Sequence, residues 1–448
     1  MLGVLRDTTY RRLFAAQVLS LSGSGLATVA LALLAYDLAG ERAGAVLGTA
    51  LAIKMVAYVG VAPAAGAFAD RVPRRALLVA LDLARAAVAL CLPFVDAVWQ
   101  VYALVFVLQA GSAAFTPTFQ ATIPDVLPDE GEYTRALSLS RLAYDLESLA
   151  SPALAAALLG LVGYPWLFAG NAAGFAASAL LVLSVALPSP EPVPGPRRGA
   201  WDRTTRGLRL YLATPRLRGL LALNLAVAAA GAMVIVNTVA LVRAGFGLGQ
   251  DAVAWALAAY GAGSMAAALA LPRLLERAPD RAAMLGGAGL LGAGLLLVPL
   301  VPSWSALLPV WAVLGIGNAL VLTPSGRLLR RSAHPADRPA LFAAQFASSH
   351  ACWLLAYPLA GWVATGSGAT AAALTLAALV AAGLAGAALL WPAADPEELE
   401  HGHENLPADH PHLREWHPAG PTAPPNGPCR HRHAYVVDDL HPAWPRGA

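Results

Sequence analysis

Charge is scarce in this sequence. Of 448 residues only 13% are charged and 58% are hydrophobic, with a mean hydropathy of +0.59. An ordinary soluble domain carries about 25% charged residues. The deficit excludes a soluble enzyme as the main reading, and disorder over most of the length. Lysine is nearly missing: Lys54 stands alone, and the other 29 basic residues are arginine. That bias, with so much Ala and Gly, fits a GC-rich genome and says little about chemistry. The three cysteines, Cys91, Cys352 and Cys429, are too few and scattered for a disulfide framework or a cysteine-based zinc site. A net charge of only +3 gives no support to nucleic-acid binding. No nucleophile–base arrangement and no phosphate loop appears, which speaks against an enzyme.

Long apolar runs are abundant. A helix crosses the hydrocarbon core with about 20 apolar residues. Candidate spans lie at about 13–38, 43–69, 76–97, 99–122, 137–162 and 166–187, then at 216–242, 252–275, 281–301, 303–325, 340–364 and 369–391. The first run follows Arg6, Arg11 and Arg12 but is too long for a signal-peptide core, so it reads as an uncleaved span. With the N-terminus inside, the loops facing the cytoplasm hold 22 basic residues and the outer loops only Arg42 and Arg243. The positive-inside rule then places both termini in the cytoplasm. Between the two sets, 188–215 holds alternating prolines and an Arg-rich stretch with surface-helix character. The chain divides into a six-helix bundle at 1–187, a cytoplasmic linker at 188–215, a second bundle at 216–392 and a tail at 393–448.

The halves repeat. A shift of 206 positions lays Asp70–Arg75 on Glu276–Arg281, Pro152 on Pro358 and Arg12 on Arg218, and brings Thr116-Pro117 to within one residue of Thr323-Pro324. A shared offset over separate regions argues for duplication of a six-helix unit. Two parallel halves around a central site is the design of one large class of secondary transporters.

The segment Gly66-Ala67-Phe68-Ala69-Asp70-Arg71-Val72-Pro73-Arg74-Arg75 resembles the G-x-L-x-D-R-x-G-R-R signature of the major facilitator superfamily. Phe68 replaces the usual Leu and Pro73 the usual Gly. The resemblance covers about residues 1–392 and implies an all-α membrane fold of twelve transmembrane helices in two pseudo-symmetric bundles, without a required cofactor. It also implies a gate. Asp70 would face the start of the eleventh helix near Pro339-Ala340, and a carboxylate there is favoured by the helix dipole. Gly66, Asp70, Arg71, Arg74 and Arg75 form this gating motif.

An ionisable residue inside a span is costly and by default functional. Asp82 and Arg85 are spaced i, i+3 and read as a closed structural pair. Arg141 and Asp145, at i, i+4, share a face of span five, while Glu147 points nearly opposite. Arg141 can satisfy one of these carboxylates but not both, which leaves one for a proton or a cation. Lys54 is either a partner for Glu147 or a snorkelling side chain. His350 falls under the offset on Tyr144, beside Asp145, so His350 and Asp145 are expected at similar depth in opposite halves. Arg141, Asp145, Glu147, His350 and Lys54 are therefore the candidates for transport and proton coupling.

From residue 393 the composition changes. Residues 401–448 hold eight of the ten histidines. His401, His403, His410, His412, His431 and His433 fall in three His-x-His pairs, a pattern that reads as metal binding. The prolines of this tail oppose a packed domain, so it is expected to be disordered. Joined to this tail, the stretches Phe115–Asp125 and Ser140–Leu149 resemble nickel-resistance exporters of the same superfamily, near the siderophore and drug exporters. The resemblance implies a proton-coupled, monomeric exporter in the bacterial plasma membrane, whose partners are the lipid bilayer, protons and a transported small ion or molecule, with nickel or cobalt first. The alternatives are export of a siderophore, drug or other small organic molecule, or a membrane metal sensor or enzyme. The low aromatic content, 7%, argues weakly against a drug pocket.

Overall fold

The computed structural model describes residues 2–39, 43–68, 71–159, 161–188, 199–395, 398–403, 429–441 and 444. Helix dominates because a chain this apolar must satisfy its backbone internally. Six helices form the first bundle: α1 (Thr8–Ala39), α2 (Ala43–Phe68), α3 (Arg74–Cys91), α4 (Val98–Val126), α5 (Glu130–Leu159) and α6 (Pro165–Leu183). A shorter helix, α7 (Ala200–Ala213), follows, then α8 (Pro215–Ala240), α9 (Gln250–Leu275), α10 (Asp280–Leu297), α11 (Trp304–Leu322), the short α12 (Ser325–Arg330) and α13 (Arg338–Leu390).

Among the described residues, ten helices are long and apolar enough to cross a membrane. α13 counts once in that number although it is two helices. They meet at Gly368, whose φ of 85° lies where only glycine is comfortable. The 30-residue α5, which carries Arg141, Asp145 and Glu147, is outside the ten. Counting both arms of α13 and adding α5 gives the twelve helices of the sequence reading. Exposed tryptophans (Trp99, Trp166, Trp255 and Trp362) sit near helix ends away from the arginine clusters, as an interfacial aromatic belt does.

Within the first bundle α1 packs on α6, α3 on α6 and α2 on α4; within the second α8 packs on α13 and α9 on α11. The bundles meet mainly through α2 against α13 and α5 against α9. α7 occupies the described part of the 188–215 stretch and packs on α2 and α13, where the buried Tyr211 donates to Gln345 Oε1 at 2.5 Å.

The tail composition shows no strand pattern, yet β1 (Glu398–His403) pairs antiparallel with β2 (Cys429–Ala434). The residues after β2 lie against the arginine-rich end of the bundles. Asp439 pairs with Arg206 of α7 at 2.9 Å, and Asp438 accepts hydrogen bonds from His334 at 3.2 Å and His441 at 3.0 Å. Burial pushes the Asp438 carboxyl up, but those imidazoles and the His441 amide outweigh it and hold the group well below the usual carboxylate range.

Candidate functional site

The arginine-rich end carries the contacts that tie the bundles together. Gly66, near the end of α2, lies against the first turn of α13. A Cβ there would stand 2.6 Å from the Ala343 Cβ and 3.1 Å from the Pro339 carbonyl, so only glycine permits this approach. Asp70 lies outside the described residues, but Gly66, one helical turn earlier, already touches the stretch that Asp70 was expected to face. Gly66→Val is expected to prise the two helices apart and cut transport about tenfold, since overpacking costs about 1–3 kcal/mol. Vesicle transport at matched protein level measures this.

The arginines of the motif have different surroundings. Arg71 and Arg75 are exposed, and Arg75 reaches the Val185 carbonyl at 3.5 Å near the end of α6. Arg74 is buried and donates to Asp125 Oδ2 at 2.5 Å. The other oxygen of Asp125 accepts from Arg338, the first residue of α13. One carboxylate, itself 11% exposed, thus joins the signature motif of one bundle to the first residue of α13 in the other. In the sequence Asp125 closes the Phe115–Asp125 stretch, and no spacing pattern marks it as a gate residue. A second clasp lies nearby: Arg327 pairs with Glu130 of α5 at 2.6 Å and with Asp280 at 3.3 Å.

Deeper in the bundle, Arg141 holds Asp145 through two hydrogen bonds, 2.5 and 3.2 Å, and its Nε also meets Ser264 Oγ of α9 at 3.0 Å. This arginine therefore pairs along α5 and bridges to the other bundle at once. Glu147 does not share it. Its carboxylate accepts from Ser151 at 3.2 Å and lies within the field of Lys54.

Lys54 also reaches His350 electrostatically, and its Nζ sits 5.5 Å from the Tyr58 ring centroid. Tyr58 donates to Gln109 at 2.9 Å. His350 is packed edge-on to Tyr58, centroids 4.6 Å apart, and against Phe346 at 4.2 Å, with Nδ1 2.7 Å from the Phe346 carbonyl. The structure thus brings Lys54, Tyr58 and His350 together and sets Glu147 within reach of Lys54, while Asp145 belongs to Arg141. A cavity of about 120 Å³ opens beside Lys54 and Tyr58, lined also by Gln109, Ser112 and Asn171. The amide of Asn171 is fully buried and finds no hydrogen-bond partner among the described residues. Asp82 and Arg85 form the closed pair expected of them: Ser178 donates to Asp82 at 2.7 Å, and the guanidinium lies between Phe115 and Phe175 at 4.2 and 4.3 Å.

Of the tail histidines, His401, His403 and His431 take places in the two strands, His433 is buried, and His410 and His412 lie outside the described residues. Among the described residues no three His, Cys, Asp or Glu side chains gather as metal ligands.

The sequence profile of the Major Facilitator Superfamily matches residues 13–236 and again 221–423. The chain belongs to the major facilitator superfamily. Its members are membrane transporters rather than enzymes and in general need no cofactor. Curated relatives within the superfamily include Macrolide efflux protein A of Enterococcus faecalis, 28% identical over 32% of this chain and 47% of that protein. The Streptococcus pyogenes protein of the same name is 26% identical over 39% of this chain and 44% of its own length. The chain thus spans less than half the length of these curated relatives. Among solved structures, the human organic anion transporter MFSD10 (TETRAN) superposes with a TM-score of 0.74 at 15% identity, over 85% of this chain and 98% of that one. A bacterial homologue of the iron transporter ferroportin, in an outward-facing state, gives 0.70 at 14%, over 85% and 97%. At such identity the likeness is one of fold: a multi-pass, two-bundle superfamily architecture.

Proposed function

We propose that this chain is a proton-coupled exporter of a small organic molecule, working as a monomer by alternating access across the bacterial plasma membrane. The observation that carries the reading is the shared carboxylate of Asp125, bound by Arg74 of one bundle and Arg338 of the other. By the positive-inside count that end faces the cytoplasm, so the clasp holds the inner gate shut while the mid-depth cluster faces outward. Rocking the halves apart breaks it and opens the inner side. Residues 1–187 and 216–392 are then the rocking units, 188–215 their cytoplasmic linker and 393–448 the cytoplasmic tail. Asp70 acts in the same gate. One proton entering along the membrane potential supplies about 2.3 kcal/mol per 100 mV, enough to drive expulsion.

An organic cargo is supported by the rings of Tyr58, Phe346 and His350 beside the polar cavity, and by curated relatives named for macrolide efflux. A divalent cation needs a gathered set of oxygen and nitrogen ligands, and Asp145 is already held by Arg141. Export of nickel or cobalt is the second reading, favoured by the eight histidines of the tail. Expression in a sensitive host should raise tolerance to a macrolide and leave tolerance to nickel and cobalt unchanged. Everted vesicles should take up the labelled macrolide when a pH gradient is imposed. Vesicles that move nickel or cobalt but no organic probe would replace the organic reading with the metal one.

A further inference from the structure

The cavity beside Lys54 is lined for an anion. Its volume is about 120 Å³, and its walls come from α1, α2, α4 and α6 and from the turn at Leu92, all within the first bundle. That volume suits an ion with a few waters, each of which takes about 30 Å³. It falls below the roughly 300–1,000 Å³ of a drug-sized pocket.

The hydroxyl groups around the cavity are already committed. Ser24 donates to the Ser20 carbonyl at 2.9 Å, Thr28 to the Ser24 carbonyl at 3.0 Å and Ser112 to the Leu108 carbonyl at 3.2 Å. Tyr58 donates to Gln109 Oε1, which occupies the carbonyl end of that amide and leaves its N–H groups over. Asn171 is 0% exposed, and neither its amide nitrogen nor its oxygen has a partner among the described residues. It is held there by a close approach of α1 to α6, since a Cβ added at Gly23 would stand 3.1 Å from Asn171 Oδ1.

Lys54 brings the charge. Among the described residues lining the cavity none is acidic. Among the described residues Lys54 also forms no ion pair: Glu147 acts on it only through its field, and its Nζ lies 5.5 Å from the Tyr58 ring centroid. Arg85 reaches Ser112 Oγ at 3.4 Å but is neutralised by Asp82. A lysine within a span is costly while its charge is unmet.

We propose that Lys54, Gln109 and Asn171 bind a monovalent inorganic anion, with chloride as the physiological ion. One ammonium and two amide N–H groups converge on the cavity, and hydrogen bonds from a charged donor are the strong ones. A cation would be repelled by Lys54, and a divalent anion would bring more charge than one lysine offsets. Because the walls belong to a single bundle, the ion stays in place while the halves rock. It is therefore resident and independent of the cargo. It joins α2 to α4 and α6, and it draws on the same ammonium as Glu147.

The test uses the full chain purified in detergent, in gluconate buffer at constant ionic strength, with bromide and chloride as probes. A ligand that binds only the folded state raises the melting temperature as it saturates, so both halides should raise it and gluconate should not. Crystals grown in bromide should show one anomalous scatterer in contact with Lys54 Nζ and Asn171 Nδ2. Lys54→Gln should weaken halide binding by about tenfold or more. Gln109→Glu places a carboxylate at the site, so this variant should match the halide-bound wild type in stability and no longer respond to halide. A wild type that responds alike to halide and gluconate overturns the proposal. So does a cavity that holds water alone in bromide, or a halide response that survives in both Lys54→Gln and Gln109→Glu. Stabilisation by acetate and benzoate but not by halides would assign the cavity to an organic carboxylate and overturn the inorganic site.

Discussion

Asp125→Ala is expected to lower transport by roughly two orders of magnitude while the protein stays in the membrane at a normal level. Its carboxylate binds Arg74 and Arg338 and is largely buried with both. Removing one partner of a buried ion pair costs about 3–5 kcal/mol, because the remaining charge is left uncompensated. Here two guanidiniums would be left facing each other across the junction of the bundles. Shifting a conformational equilibrium by about 1.4 kcal/mol is a factor of ten, so the closed inner gate would lose most of its population. Arg338→Ala should resemble it, because Arg338 is the partner on the other bundle. Arg74→Ala should be milder in gating, since the Asp125–Arg338 contact survives. Vesicle transport reports the loss, and labelling of a cysteine placed near Pro339 reports the opened inner gate. Normal transport with an unlabelled gate in Asp125→Ala would remove Asp125 from the mechanism.

The spans, the duplication and the Arg141–Asp145 pair were legible because each depends on local spacing. Apolar length marks a span, a constant offset marks a repeat, and i, i+4 marks a helical pair. Gly368 separates the arms of α13 between the expected ends at 364 and 369, since a positive φ is a local property too. The gate was not legible in the same way. The partners of Asp125 are 51 and 213 residues away, and no spacing rule reaches that far. The offset of 206 even hides the pairing. It lays Arg74 on Asp280 and Asp125 on Arg331, so the corresponding positions of the two halves carry opposite charge. A search for matched residues passes over such an exchange. Ser264 is missed for a similar reason: a serine on α9 becomes informative only once α5 lies beside it. The β1–β2 ribbon has no alternation of apolar and polar residues, and its pairing spans too long a loop for a hairpin signal.

Glu147→Gln is expected to abolish efflux driven by a pH gradient, by at least tenfold, while exchange of cargo across the membrane without a gradient continues. Two carboxylates lie close together on α5, but they are not equivalent. Asp145 has Arg141 as a bidentate partner and, through it, Ser264. Glu147 has a serine hydroxyl and the more distant charge of Lys54. An acidic residue at the centre of a span costs about 2.5–3.5 kcal/mol on insertion scales. Arg141 offsets that cost for Asp145 in its charged form, so a proton gains little there. Glu147 is better placed to exchange one, and its link to Lys54, which also reaches His350 on α13, lets its charge be felt in the other bundle. Asp145→Asn should instead loosen the α5–α9 contact and lower every mode of transport together, because Arg141 would lose its charged partner. Lys54→Gln should shift the pH dependence of efflux without abolishing it. The measurement is paired: gradient-driven efflux and cargo exchange in the same vesicle preparation. If Glu147→Gln keeps both with an unchanged pH profile, the coupling proton is carried by another group and the roles assigned to Glu147 and Lys54 fall together.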